Sequence, residues 1–131
     1  MIGLDTNVLV RYVMQDDAVQ SPRATALVES LTADAPGFVA LVSVVELVRV
    51  LASCYGLTRE QLVHALDLLL RTRELVVDRA DIVLKALRVF KATSADFADC
   101  LIERTAAAAG CDRTMTFDVG VSKVAGMTLI G

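Results

Sequence analysis

Twice in this chain a short strand-like run ends on an aspartate at the point where helical periodicity begins. Residues 1 to 5 form an apolar run ending at Asp5, and Thr6 to Met14 then carries its apolar residues at helical spacing. Arg113 to Phe117 leads in the same way into Asp118, which heads a short helix reaching Val124. Such alternation of strand and helix predicts a parallel sheet covered by helices on both faces.

The intervening sequence continues the pattern. Ser21-Pro22 opens a second helix, with Pro22 at the first position, where a missing amide is harmless, and with Ala26, Leu27 and Leu31 as its inner stripe. Phe38 to Val42 reads as a second strand, and a helix follows from Val44 to Cys54, stopping near Gly56. Thr58 caps a helix through Arg71, with Glu60 or Gln61 in its first turn and Leu62, Leu66 and Leu69 on one face.

Glu74 to Val77 is a third strand, and Asp78 or Arg79 leads into a helix through Lys91. Asp96 to Ala109 is helical and ends at Gly110, and Met127 to Ile130 is the last strand. The expected architecture is a three-layer α/β/α fold around a central parallel sheet of four to five short strands. At 131 residues it is expected to be one domain, residues 1–131.

In such a sheet, strand C-termini and helix N-termini share the edge where ligands bind. Asp5 and Asp118 end predicted strands, Asp96 and Asp99 begin a helix, and Glu46 falls in the first turn of another. Topology therefore places all five acids on one edge. Two unit charges ~4 Å apart repel by about 1 kcal/mol in water and about 4 kcal/mol at an effective dielectric near 20, so converging carboxylates call for protonation or a cation. Oxygen donors without histidine or cysteine select a hard ion, Mg²⁺ or Mn²⁺. Such an ion can activate water and neutralise charge on phosphorus oxygens, which phosphodiester hydrolysis requires.

Each acid also has a simpler reading. Asp5, Asp96 and Asp118 each precede a helix, where aspartate is a favoured N-cap. Ser43-x-x-Glu46 fits a capping box, and Glu46 could pair with Arg49 at i+3. Yet Glu46 and Arg49 are the only charges between Leu41 and Ala52, on a helix otherwise apolar all round. Thr6 and Thr116 lie within two residues of an acid and could hold a phosphate or bound water, or cap helices. His64, the only histidine, lies mid-helix far in sequence from every acid and reads as an ordinary surface or core residue.

Net charge is −3, which argues against strong nonspecific nucleic-acid binding through a basic field. With the five acids set aside, 13 basic residues face 11 acidic ones, so a nuclease is not excluded. The apolar fraction of 55% excludes disorder and predicts an exposed patch for self-association or a partner. Cys54, Cys100 and Cys111 form no C-x-x-C pair and are expected as buried, reduced thiols. The opening residues have no basic flank before Asp5 and no run reaches the ~18 apolar residues of a membrane span, so the protein is expected to be soluble and cytoplasmic.

These residues in this order resemble a PIN domain, and within that superfamily the small VapC-like toxins of bacterial toxin–antitoxin pairs. Ile2-Gly3-Leu4-Asp5-Thr6-Asn7-Val8-Leu9 resembles the first acidic motif and Ser43-Val44-Val45-Glu46-Leu47 the second. Asp96-Phe97-Ala98-Asp99-Cys100-Leu101-Ile102 resembles the third, and Thr116-Phe117-Asp118 the fourth. The resemblance implies an Mg²⁺- or Mn²⁺-dependent endoribonuclease with Asp5, Glu46, Asp99 and Asp118 as its catalytic, metal-binding acids and Asp96 as a further member acting through water. It also implies an RNA substrate such as tRNA or ribosomal RNA, a cognate antitoxin that masks the site, and a homodimer. Arg11 and Arg49, each close along a helix to one of these acids, are candidate phosphate contacts or structural ion-pair partners. One departure is Val119-Gly120-Val121, where more polar residues are expected after Asp118.

Two other classes compete. A receiver-like phosphoacceptor, with Lys123 as partner, or another Mg²⁺-dependent phosphate enzyme needs a second acid near the first strand, where Asp5-Thr6-Asn7 stands instead. A PIN-like, non-catalytic binding module in a regulatory complex fits the high apolar content but has no reason to keep four carboxylates.

Overall fold

The first strand, β1 (Ile2–Gly3), pairs in parallel with β2 (Gly37–Val39), which pairs in parallel with β3 (Leu75–Val77), giving the order β1-β2-β3. The computed structural model describes all 131 residues, in two compact units, Met1–Asp78 and Arg79–Gly131. This sheet belongs to the first unit. Beyond β1, the Leu4 amide still donates to the Phe38 carbonyl at 2.9 Å, which holds the chain in line up to Asp5.

Four helices complete the first unit: α1 (Thr6–Met14), α2 (Gln20–Ser30), α3 (Leu41–Ser53) and α4 (Arg59–Arg71). Two helices bridge each pair of successive strands, as parallel strands require a crossover. Leu9, Val39, Leu47, Leu51, Leu66 and Leu69 are almost wholly buried. Helix α1 keeps the bounds its periodicity predicts and ends at Gln15, which takes a left-handed φ of 53° and donates from its side-chain amide to the Tyr12 carbonyl at 2.7 Å. Helix α4 begins with a complete capping box between Thr58 and Gln61 and buries Leu62, Leu66 and Leu69 as expected.

Two expectations for this unit are corrected. Helix α2 buries Ser21, Ala24 and Val28, with Leu31 just beyond its end, whereas Ala26 is exposed and Leu27 only partly covered. Ser21 replaces an apolar residue in the stripe because its hydroxyl is engaged, accepting the Asp17 amide at 3.2 Å. Helix α3 starts at Leu41 rather than Val44, because the Ala40 carbonyl accepts the amides of both Ser43 and Val44. The strand before it correspondingly ends at Val39.

The second unit contains α5 (Ala80–Ala92), α6 (Phe97–Ala108), β4 (Met115–Thr116), α7 (Val119–Val124) and β5 (Thr128–Leu129). Helices α5 and α6 pack together, with Phe90 and Phe97 edge to face at 5.8 Å and 84° over a core that includes Val83, Leu87 and Cys100. Strands β4 and β5 pair in parallel only with each other, so the main sheet has three strands and not four to five. With two residues each, they satisfy their ladder bonds mutually, through Thr128 to Thr114 and Ile130 to Thr116, both at 2.8 Å.

Of the cysteines, only Cys100 is buried; Cys54, following α3, and Cys111, just past the α6 stop at Gly110, are exposed. Both lie at helix ends, where the chain turns into solvent. No helix is long and apolar enough to cross a membrane.

Candidate metal and phosphodiester site

Asp5 is the N-cap of α1, in extended backbone, and its Oδ1 accepts the Thr6 amide at 2.8 Å. Capping occupies one oxygen and leaves the other to project, so the simple reading and the functional one coexist in a single residue. Thr6 is buried, and its Oγ1 donates to Glu46 Oε2 at 3.4 Å, linking α1 to α3.

Glu46 stands in the second turn of α3, not the first, and the capping box expected with Ser43 does not form. Ala40 is the N-cap, and Ser43 is buried inside the first turn with its amide bonded to the Ala40 carbonyl. The i+3 ion pair between Glu46 and Arg49 is also absent. Thr6 is thus the tertiary partner of an exposed carboxylate on an apolar helix.

A cleft of about 650 Å³ gathers Asp5, Thr6, Asn7, Glu46, Arg11 and Tyr55 along its walls. Arg49 is not among them. Arg11 is held in a side-chain network: its Nε donates to Gln20 Oε1 at 2.8 Å, and one terminal nitrogen reaches Asp16 at 3.3 Å and the Tyr55 hydroxyl at 3.2 Å. Tyr55 donates to the other Asp16 oxygen at 2.8 Å, and this bond pushes the phenol above its ordinary pKa. Arg11 therefore has a structural partner, the plainer of its two sequence readings. Sequence reading did not find Tyr55, Asp16 or Gln20, because the network joins residues up to 44 positions apart.

In the second unit, Asp96 is the N-cap of α6, but its side chain makes no capping bond. Asp99 follows in the first turn and is partly buried. Burial pushes its carboxyl above the usual range, and the charges of Asp96 and then Asp118 push it further the same way. Asp118 caps α7, accepting the Val121 amide at 3.0 Å, while the Asp118 amide donates to Thr116 Oγ1 at 3.1 Å. Thr116 is therefore engaged in a local cap.

An acid that sequence reading missed, Glu103, lies four residues beyond Asp99 on the same helix, with a side chain 14% exposed. The i, i+4 spacing is the signal that could have found it. It is already paired with its neighbour Arg104, at 2.7 and 2.9 Å.

No three His, Cys, Asp or Glu side chains come together as a ready metal-binding group. The donor chemistry nevertheless suits a hard cation: oxygen ligands only, and in the second unit an Asp99 carboxyl whose charge is disfavoured by burial and then by repulsion from Asp96 and Asp118. A divalent ion would relieve that repulsion.

No curated protein matches this chain. Among solved structures it is similar to the VapC20 toxin of Mycobacterium tuberculosis, described as a sarcin-ricin loop cleaving toxin, with 19% identity, 98% of this chain and 97% of that chain covered, and a TM-score of 0.48. The model of the PIN domain family matches residues 2–127, a span that includes Asp5, Glu46, Asp96, Asp99 and Asp118, and the chain belongs to that family.

Proposed function

We propose that this PIN domain is a metal-dependent endoribonuclease, the toxin of a toxin–antitoxin pair, and that residues 1–131 act as one domain in it. The observation that carries the reading is the family match over residues 2–127, which contains Asp5, Glu46, Asp96, Asp99 and Asp118, and within it the Asp99 carboxyl is pushed up by burial and then by the charges of Asp96 and Asp118. A carboxylate whose charge is disfavoured in this way is maintained at a cost unless a cation uses it.

Asp5, Glu46, Asp99 and Asp118 are the proposed ligands of Mg²⁺ or Mn²⁺, with Asp96 acting through water. Bound there, the ion would supply Lewis acidity toward a phosphate and a water. The protein's part is positioning. The Val121 amide holds one oxygen of Asp118, the Thr6 amide holds one oxygen of Asp5, and the Thr6 hydroxyl restrains Glu46. Arg11 and Arg49 are the proposed phosphate contacts, and Arg49, being free of ion pairs, is the more available.

A structured RNA is the proposed substrate, a small antitoxin the proposed inhibitor, and a homodimer the proposed assembly. The test is cleavage of total RNA by purified, partner-free protein with Mg²⁺, Mn²⁺ or EDTA, beside Asp99→Asn. Metal-dependent cutting that is lost in the variant supports the reading. Cutting that survives either EDTA or the substitution overturns it.

A further inference from the structure

Helices α1 and α2 pack against each other, and a cleft of about 330 Å³ opens between them, lined by Asn7 and Arg11 from α1 and by Gln20, Arg23 and Leu27 from α2. Each set shares a helix face: Asn7 and Arg11 stand four apart, and Gln20, Arg23 and Leu27 follow a three-then-four spacing. No acid lines this cleft. Arg23 is exposed and makes no hydrogen bond or ion pair, and the Asn7 side chain makes none either. Gln20 accepts Arg11 Nε through its Oε1 at 2.8 Å, which leaves its NH2 group unpaired. The charge of Arg11 is offset by Asp16 at 3.3 Å, so Arg23 brings the uncompensated one.

Two amides and a guanidinium fork are donors without acceptors, and they suit an anion with several oxygens, as a phosphate is. Where the cleft lies narrows the source of that phosphate. Asn7 and Arg11 also line the 650 Å³ cleft that holds Asp5 and Glu46, so the two clefts adjoin along one face of α1. A nucleic-acid strand carries a phosphate at every link. A strand with one phosphate at those acids therefore brings another along the chain, past the shared wall. A free anion, or a carboxylate on a partner protein, makes no use of that continuity.

We propose that the cleft between α1 and α2 is a flanking-phosphate subsite, in which Arg23, with Asn7 and Gln20, holds a backbone phosphate of the RNA strand whose cleaved link lies at Asp5 and Glu46. This rests on the ribonuclease reading above and adds a second point at which the strand is held. A phosphate contact carries no base identity, so the subsite sets the position of the strand and not its sequence.

The test measures binding of a labelled single-stranded RNA by anisotropy at several salt concentrations with Mg²⁺, in Asp99→Asn protein so that the RNA is not cut, with and without Arg23→Gln. Affinity should fall by about 5- to 12-fold, between the upper value of an exposed ion pair and the lower value of a hydrogen bond to a charged group. The slope of log affinity against log salt should shrink by about 0.7, the share of one phosphate on a single strand. Arg23→Lys keeps the charge without the fork, so it should keep the slope and recover part of the affinity. Arg73→Gln is the control: Arg73 is exposed just before β3, at the sheet edge opposite the one where Asp5 follows β1, and its loss should move neither quantity. Because Arg23 is exposed and unbonded, its variants should melt with the parent protein. In cleavage by otherwise wild-type protein, Arg23→Gln should raise KM by a similar factor. Unchanged affinity and slope in Arg23→Gln would overturn the proposal while leaving a cleaving wild type as a ribonuclease. So would calorimetric binding of inorganic phosphate that needs Arg23 while RNA affinity does not, which would make the cleft a free-anion site. Loss of a co-purifying protein partner in Arg23→Gln with RNA affinity intact would overturn it too. A wild type that neither cuts nor binds RNA would remove the ribonuclease reading, and this inference with it.

Discussion

The Thr6 hydroxyl donates to Glu46 Oε2 at 3.4 Å across 40 residues, joining the first residue of α1 to the second turn of α3. It sets an acid of the second motif beside the residue that follows the acid of the first.

Replacing Thr6 by Val removes that donor and keeps the shape. The bond is long, so its loss should lower stability by only about 0.5 kcal/mol, the low end for a net hydrogen bond. RNA cleavage should fall considerably more, because Glu46 loses its restraint, and Thr6→Ser should recover most of it. Urea denaturation and cleavage assays on the same preparations separate the two effects.

Asp99→Asn should abolish cleavage yet leave the metal-free protein as stable or more stable. Asp99 is an acid whose folded pKa is raised, so the folded state binds its proton more tightly than the unfolded state. Its ionisation therefore removes stability as pH rises from the ordinary aspartate value through the folded one, and the Asn variant lacks that loss. Melting curves in EDTA across this window should diverge in favour of the variant. Parallel curves would mean that neither burial nor its acidic neighbours raise the Asp99 carboxyl.

Asp17 behaves in the opposite way. Its Oδ1 accepts the amides of Val19 at 2.9 Å and Gln20 at 2.6 Å, and these bonds, Gln20 first, hold its pKa below the ordinary value. Its contribution is present above the unfolded pKa and is lost as pH falls through the folded one. Asp17→Ala should lower the melting temperature modestly at neutral pH, with the difference shrinking in acid.

Gly37 lies buried in the middle strand, and a Cβ there would meet Leu31 and Leu4 methyls at 2.9 Å and a Leu75 methyl at 3.2 Å. Those leucine ends are themselves packed, so Gly37→Ala should cost about 1–3 kcal/mol, as overpacking does. Equilibrium unfolding measures it directly.

Phe97, fully buried, stacks edge to face on Phe90. Phe97→Ala should cost about 3–5 kcal/mol through lost burial and a cavity. Because Phe97 opens the helix that carries Asp99, hydrogen exchange in α6 should rise with it. Protection unchanged in α6 would show that the helix does not depend on this packing.

Much of the fold was legible where its cause is local. The bounds of α1, the cap at Thr58, the face of α4 that carries Leu62, Leu66 and Leu69, and the stop at Gly110 all follow from periodicity and end chemistry within a few residues. Asp5, Asp96 and Asp118 likewise announced themselves as residues that start helices.

Tertiary structure decided what depends on distant partners. Leu41 and Val42 suit a strand as well as a helix, and only the pairing of β2 with both its neighbours ended the strand at Val39 and moved Glu46 into the second turn of α3. The pairing of β4 with β5, the Arg11–Asp16–Tyr55 network and the meeting of Thr6 with Glu46 are likewise long-range choices. Sequence by itself determined where helices begin and which acids stand at their ends, because capping and periodicity act over one or two turns. Only the folded structure decided which of those groups touch, because hydrogen bonds across tens of residues are selected by packing and not by neighbours in the chain.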